Sequence, residues 1–292
     1  MVATFLLPGL FVFLWSTGFI GATFADPYAE PLTTLTLRFM LAVLVFAAWV
    51  IAARAPWPNR RVALQCFAIG ALLHGIYLGG VFVAIDMGLP SGPSAMIVSI
   101  QPILTALFAV PFASERLTIT QWIGIIAGFF GVLLVLLPKL SGPDTWPLIG
   151  ILFNVGALIG ITLASPWQKR IGASVDPRTG GVLQYLGGFA VVVPFALWFE
   201  TNAIQWTPEF VFAIFWMVFV LSLGAVSLLM HLIASGALVK TISTMYLVPA
   251  VTAIIAFFAF NETLSPVQIF GFVVSAAGVA LVAARGRTAN QG

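Results

Sequence analysis

The sequence predicts an all-α integral membrane protein, with ten transmembrane helices arranged as two inverted-topology repeats of five. Three observations lead there. Of 292 residues, 61% are hydrophobic and only 7% charged, whereas a soluble domain carries roughly 45–50% apolar and about 25% charged residues. The apolar residues gather into ten runs, most of them close to the about 20 residues that cross a hydrocarbon layer. The later part of the chain also repeats the earlier part at a fixed offset.

The runs, in order, are 4–24, 32–53, 62–86, 93–113, 119–137, 147–166, 180–199, 209–234, 238–260 and 266–284. The connectors are short, so neighbouring spans run antiparallel. The first run lacks a basic leading region and a small-residue cleavage site, and is read as the first span and not as a cleaved signal peptide. Arg54, Arg60, Arg61, Arg116, Lys169, Arg170, Arg178, Lys240, Arg285 and Arg287 all fall on one side of such a bundle. Lys139 alone falls on the other, and Arg38 lies inside the second span. Loops rich in Lys and Arg stay in the cytoplasm, which places both chain ends there.

Sliding the chain by 147 residues lays Pro102 on Pro249, Thr105 on Thr252, Glu115 on Glu262, Leu117 on Leu264, Gln121 on Gln268, Gly124 on Gly271 and Gly131 on Gly278. The halves are 1–140 and 141–292. Five spans per half is an odd number, so the second half enters the membrane upside down relative to the first. Secondary transporters are built this way, with the substrate near the midplane between the halves.

The repeated segment has a local meaning. Thr118 with Gln121, and Ser265 with Gln268, have capping-box spacing at the start of spans five and ten. Gly124, Gly128 and Gly131, matched by Gly271, Ser275 and Gly278, form small-residue faces that let helices approach closely in lipid. Pro102 and Pro249 fall in mid-span, where each removes a backbone donor, and are candidate hinges. Ser99 and Tyr246 are repeat-equivalent residues on the turns beside them.

Trp15-Ser16 in span one, Leu37-Arg38-Phe39 in span two and the duplicated Pro…Glu-x-Leu-Thr/Ser…Gln…Gly pattern resemble the drug/metabolite transporter superfamily, in its ten-helix branch with two EamA-type repeats. The resemblance covers nearly the whole chain. It implies a multi-pass exporter of small metabolites in a bacterial inner membrane, similar in size and layout to exporters of aromatic and other amino acids. In the second half the Trp15 and Arg38 positions become Gly156 and Gln184, so their roles do not follow the repeat.

Polar side chains within spans are functional suspects. His74 lies near the middle of span three, with Tyr77 on the same face. Arg38 lies roughly 9 Å inside span two, where it snorkels outward, pairs with Asp86 or meets a substrate carboxylate. Asn154, Thr162 and Ser165 share one face of span six; Ser243 and Tyr246 share one of span nine. His231 lies toward the cytoplasmic end of span eight. The expected substrate contacts are Trp15, His74, Tyr77, Ser99, Asn154, Ser243 and Tyr246.

The absences shape the functional reading. The chain has one cysteine, Cys66, no G-x-x-x-x-G-K-[ST] loop, no metal-spaced cluster and no nucleophile–base set. The expectation is a monomeric carrier with no cofactor, no metal and no nucleic-acid partner, not an enzyme. It exports small neutral metabolites such as amino acids by alternating access, with spans five and ten bracing the outside. A drug exporter, a channel and a lipid-acting membrane enzyme are the rival readings.

Overall fold

The computed structural model describes residues 2–109, 118–139, 145–172, 174–225, 228 and 247–285. Among these the regular structure is helical, with one isolated antiparallel bridge between Ala29 and Ile204.

The helix boundaries follow from ordinary capping chemistry. Helix α1 covers Val2–Ala25. Helix α2, Pro31–Ala53, opens on a proline whose missing N–H costs nothing in the first turn and ends at Arg54 in the left-handed conformation. Helix α3, Arg60–Asp86, is capped by Asn59, whose side chain accepts from the Val62 N–H at 3.0 Å. Gly88, at φ 92°, then turns the chain. Helices α4 (Ser91–Val98) and α5 (Gln101–Ala109) follow. Helix α6, Ile119–Leu136, starts with the expected capping box of Thr118 and Gln121. Helices α7 (Leu148–Gly172), α8 (Pro177–Phe199) and α9 (Pro208–Ala225) form the next group. Helices α10 (Val248–Phe260) and α11 (Pro266–Arg285) complete the described chain. Ser265 and Gln268 cap α11 reciprocally at 2.9 and 3.3 Å, as their spacing requires.

Among the described residues, six helices are long and apolar enough to cross a membrane: α2, α3, α6, α7, α8 and α9. Their outward faces carry large apolar side chains, including Ile51, Ile119, Leu197 and Trp198, which lipid would solvate and water would not. One predicted span is not continuous. The run 93–113 breaks at Ser99–Ile100, and Pro102 stands in the first turn of a fresh helix, where it displaces no hydrogen bond. The candidate hinge at Pro102 is therefore the start of a second helix after a break. Pro249 likewise lies in the first turn of α10, with Val248 and Pro249 both buried. Most of the residues preceding α10, Lys240, Ser243 and Tyr246 included, lie outside the described set, as do Glu115 and His231.

Close packing is made by glycine. At Gly70 and Gly187 an added Cβ would collide with the backbone of Gln184 and Phe67, so α3 and α8 touch main chain to main chain. The pair α6 and α11 is built the same way: Gly131 lies on Gly271 and Ser275, while Gly278 lies on Gly124 and Gly128. The small-residue faces read from the sequence are thus packing surfaces. Gln268, buried at the same crossing, donates to the Val135 carbonyl at 3.2 Å.

The ends of the bundle differ in charge. Asp26, Glu30, Asp86, Glu200, Glu209 and Glu262 sit at one end, with Lys139 the exception there; Arg54, Arg60, Arg61, Lys169, Arg170 and Arg178 sit at the other, with Asp176 paired to Arg178.

Candidate functional site

Where α1, α2, α3, α8 and α9 meet, the apolar interior gives way to polar and aromatic groups. Two irregular turns help to bring them there. Residues Ala71–Leu78 of α3 and Trp216–Ala225 of α9 wind as π-helix, a form that recurs at functional sites. Shifted by 147, the first becomes 218–225, inside the second.

The first π turn carries His74 and Tyr77. Gly188 of α8 lies directly against the His74 Cβ, leaving no room for a methyl group. The His74 ring consequently stacks on Tyr185, with centroids 4.2 Å apart and planes at 12°. Phe39 completes the cluster at 5.8 Å from both rings. Phe46, which packs on Gly181, extends it at 5.7 Å from Tyr185. Tyr77 is buried, and the Trp15 indole lies beside it.

Arg38 enters this group from α2, next in sequence to Phe39. It is 5% exposed. Its Nε and Nη2 both donate to the Ser222 hydroxyl at 3.3 Å, and that hydroxyl donates onward to the Met217 carbonyl at 2.9 Å inside the second π turn. The Tyr185 hydroxyl lies close enough to the Arg38 guanidinium for a side-chain hydrogen bond, and Tyr77 and His74 lie within its electrostatic reach. The pairing with Asp86 expected from the sequence is not made: Asp86 is exposed at the acidic end. Among the described residues the ion pair present is Arg178–Asp176 at 2.8 Å. The Arg38 Nη1 and the His74 Nδ1 are buried without a hydrogen-bond partner.

The other expected contact residues lie elsewhere. Asn154 is fully buried, but its amide is shared with Ser94: Oδ1 accepts from the Ser94 hydroxyl and Nδ2 donates to the Ser94 carbonyl, both at 3.0 Å. It clamps α7 to α4. The Ser99 hydroxyl donates to the Met96 carbonyl at 2.7 Å at the break between α4 and α5. Ser99 and Pro249 line a separate crevice of about 120 Å³ with Met96, Phe272 and Ser275. Trp15, His74 and Tyr77 therefore come together, Ser99 and Asn154 stand apart, and Ser243 and Tyr246 fall outside the described residues.

The sequence does not single out Tyr185 or Ser222. A signal existed for Tyr185, which is one of four tyrosines in the chain and lies inside an apolar span. Ser222 had none, since its role depends on a local π turn. The Trp15-Ser16 pair also gains a contact: the Ser16 hydroxyl reaches the Val248 carbonyl at 3.3 Å, next to Pro249. Among the described residues, no group of His, Cys, Asp and Glu could hold a metal ion.

Comparison with known proteins gives this arrangement a context. The profile of the EamA-like transporter family matches residues 4–137 and again 148–284. An uncharacterized transporter of Bacillus subtilis, YvbV, is 26% identical over 282 residues, covering 96% of this chain and 91% of its own. An uncharacterized inner membrane transporter of Escherichia coli, YedA, is 24% identical over 273 residues, covering 94% and 88%. A probable amino-acid metabolite efflux pump of Escherichia coli is 25% identical over 162 residues, covering 56% and 52%. A solved crystal structure at 18% identity aligns over 100% of both chains with a TM-score of 0.65, which marks a shared fold.

Proposed function

Since the chain belongs to the EamA-like transporter family, we propose that it exports small metabolites, amino acids among them, by alternating access. The carrier is a monomer of ten spans. Its halves, 1–140 and 141–292, sit in the membrane in opposite orientations, and both chain ends are cytoplasmic. The two separate profile matches support the duplication. The glycine contacts support a two-fold relation: Gly131 meets Gly271 and Ser275, while its counterpart Gly278 meets Gly124 and Gly128, the counterparts of those two residues. A two-fold axis between paired elements produces such an exchange. The segregation of basic from acidic connectors supports the orientation.

The observation that carries the functional reading is the buried polar cluster. Arg38, His74 and Tyr77 come from the first half, Tyr185 and Ser222 from the second. A polar group enclosed in an apolar bundle is costly unless it is partnered, and two atoms here have no partner. Substrate polar groups would fill that need, and the rings beside them suit an aromatic or apolar side chain. Trp15 walls the same space. Ser99 and Asn154 remain proposed contacts although they stand apart from this cluster, Ser243 and Tyr246 remain proposed contacts outside the described residues, and Pro102 and Pro249 are the proposed hinges. The amino-acid substrate class is supported by the likeness to the probable amino-acid metabolite efflux pump of Escherichia coli.

Radiolabelled amino-acid flux in proteoliposomes tests the reading. Flux is expected for a subset of neutral amino acids, with weakened binding in His74→Ala and Tyr246→Ala. Absence of flux for all twenty would remove the amino-acid class. A channel would expose both mouths at once to a cysteine reagent, whereas a carrier protects one while exposing the other.

A further inference from the structure

Among the described residues Arg38 is a buried cation without an anion. Its guanidinium keeps its charge, and the Ser222 hydroxyl takes one edge of it, through Nε and Nη2, without neutralising it. The other edge, at Nη1, is buried and unpartnered. Aspartates and glutamates in the described residues lie at the bundle ends, and residues 226–246 contain none. An enclosed charge of this kind is normally paired, because its desolvation is not otherwise offset. The His74 Nδ1, on a ring stacked against Tyr185, is a second buried atom without a partner in the same cluster.

We propose that the transported molecule itself supplies the missing anion: its carboxylate seats on the free edge of Arg38, and the carrier prefers a carboxylate with an otherwise neutral body over an amine. This rests on the transporter reading and deepens it. A carboxylate oxygen accepts from Nη1 in a charge-assisted hydrogen bond. A neutral polar atom of the substrate meets the His74 Nδ1. Phe39, Tyr77 and Tyr185 enclose the apolar body. A free ammonium group finds no counter-charge in the cluster, so a zwitterionic amino acid binds through its carboxylate alone.

Thermal melting of the purified full-length chain tests this, with a size series of carboxylates from acetate to 3-phenylpropionate, phenylalanine, 3-phenylpropanamide and phenethylamine as probes. Carboxylates raise the melting temperature, at least one strongly; the amide and the amine do not. Arg38→Gln removes the response, with apparent affinity about tenfold or more weaker, as for loss of a charge-assisted bond. Should Arg38→Gln fail to fold, Ser222→Asp keeps the test alive. A fixed carboxylate beside Arg38 raises the melting temperature without ligand and abolishes the response to added carboxylates. Equal stabilisation by amide or amine, absence of any carboxylate-selective shift, or a full carboxylate response in Ser222→Asp overturns the proposal. Flux measured separately keeps the two readings distinct. Flux without carboxylate preference removes the anion site and leaves the exporter, whereas carboxylate-dependent melting without flux does the reverse.

Discussion

Glu200 shows how single side chains tie the acidic end together. Its carboxylate accepts from the Leu32 and Thr33 N–H groups at 2.8 and 2.7 Å and from the Thr33 hydroxyl at 2.7 Å, capping α2 from a distant part of the chain. Glu30 returns the contact by accepting from the Thr201 N–H at 2.7 Å. Burial holds the Glu200 carboxyl above its ordinary range despite the bonds that favour its charged form. Glu200→Ala should lower stability by about 1 kcal/mol, the usual worth of a helix cap, read as a drop in melting temperature. Asp26 titrates in the same region, pushed up to about 6 by burial and by the Asp86 carboxylate. An unfolded chain loses this proton near 3.8 while the folded chain keeps it to about 6. Stability therefore falls as pH rises through that window and stays lower above it. Asp26→Asn should flatten that slope and raise stability at neutral pH by no more than about 1 kcal/mol given solvent screening, read as a rise in melting temperature. The Glu200 cap was not legible in the sequence. Capping boxes are local patterns, and Thr118 with Gln121 could be read from spacing. Glu200 and Glu262 cap helices more than a hundred residues away: Glu262 accepts from the Ser91 N–H at 3.1 Å.

Elements pack through faces that periodicity shows and through rotations that it does not. The glycine stripes of α6 and α11 were visible because small residues recur at helical spacing. The backbone contact at Gly131 makes the consequence definite. Gly131→Leu should cost about 1–3 kcal/mol or more through overpacking. Gly156→Ala, where an added Cβ meets nothing within 4 Å, should hold the melting temperature or raise it slightly, because Ala favours the helix over Gly. A similar fall in both would mean that the pair is not held as described. The aromatic cluster was only half visible. His74 and Tyr77 stood out as polar residues in an apolar run, but hydropathy does not encode the rotation that turns α8 to present Tyr185. The π turns were hidden because no residue pattern announces them. At the Ser99–Ile100 break, Pro102 starts a helix and does not bend one. Pro102→Ala should let α4 and α5 join, slowing transport more than it weakens substrate binding. Unchanged flux with unchanged binding would show that the break does not move.

At the scale of the whole molecule, an apolar chain with short connectors leaves few architectures, so the membrane class and the duplication could be read before any coordinates. The candidate cluster was less legible because it joins residues from the two family matches. Arg38 meets Ser222, separated from it by 184 positions, and no local pattern links them. The central claim is that the halves rock about this shared cluster, so that one end closes as the other opens. Distances between spin labels measure that motion directly. In a Cys66→Ser background, one label pair is placed at the acidic end, on Asp86→Cys and Ala203→Cys. A second pair is placed at the basic end, on Arg61→Cys and Lys169→Cys. On addition of a transported substrate the two distances should change in opposite senses. Two distances that lengthen together, shorten together or stay fixed while substrate is being transported would contradict the account.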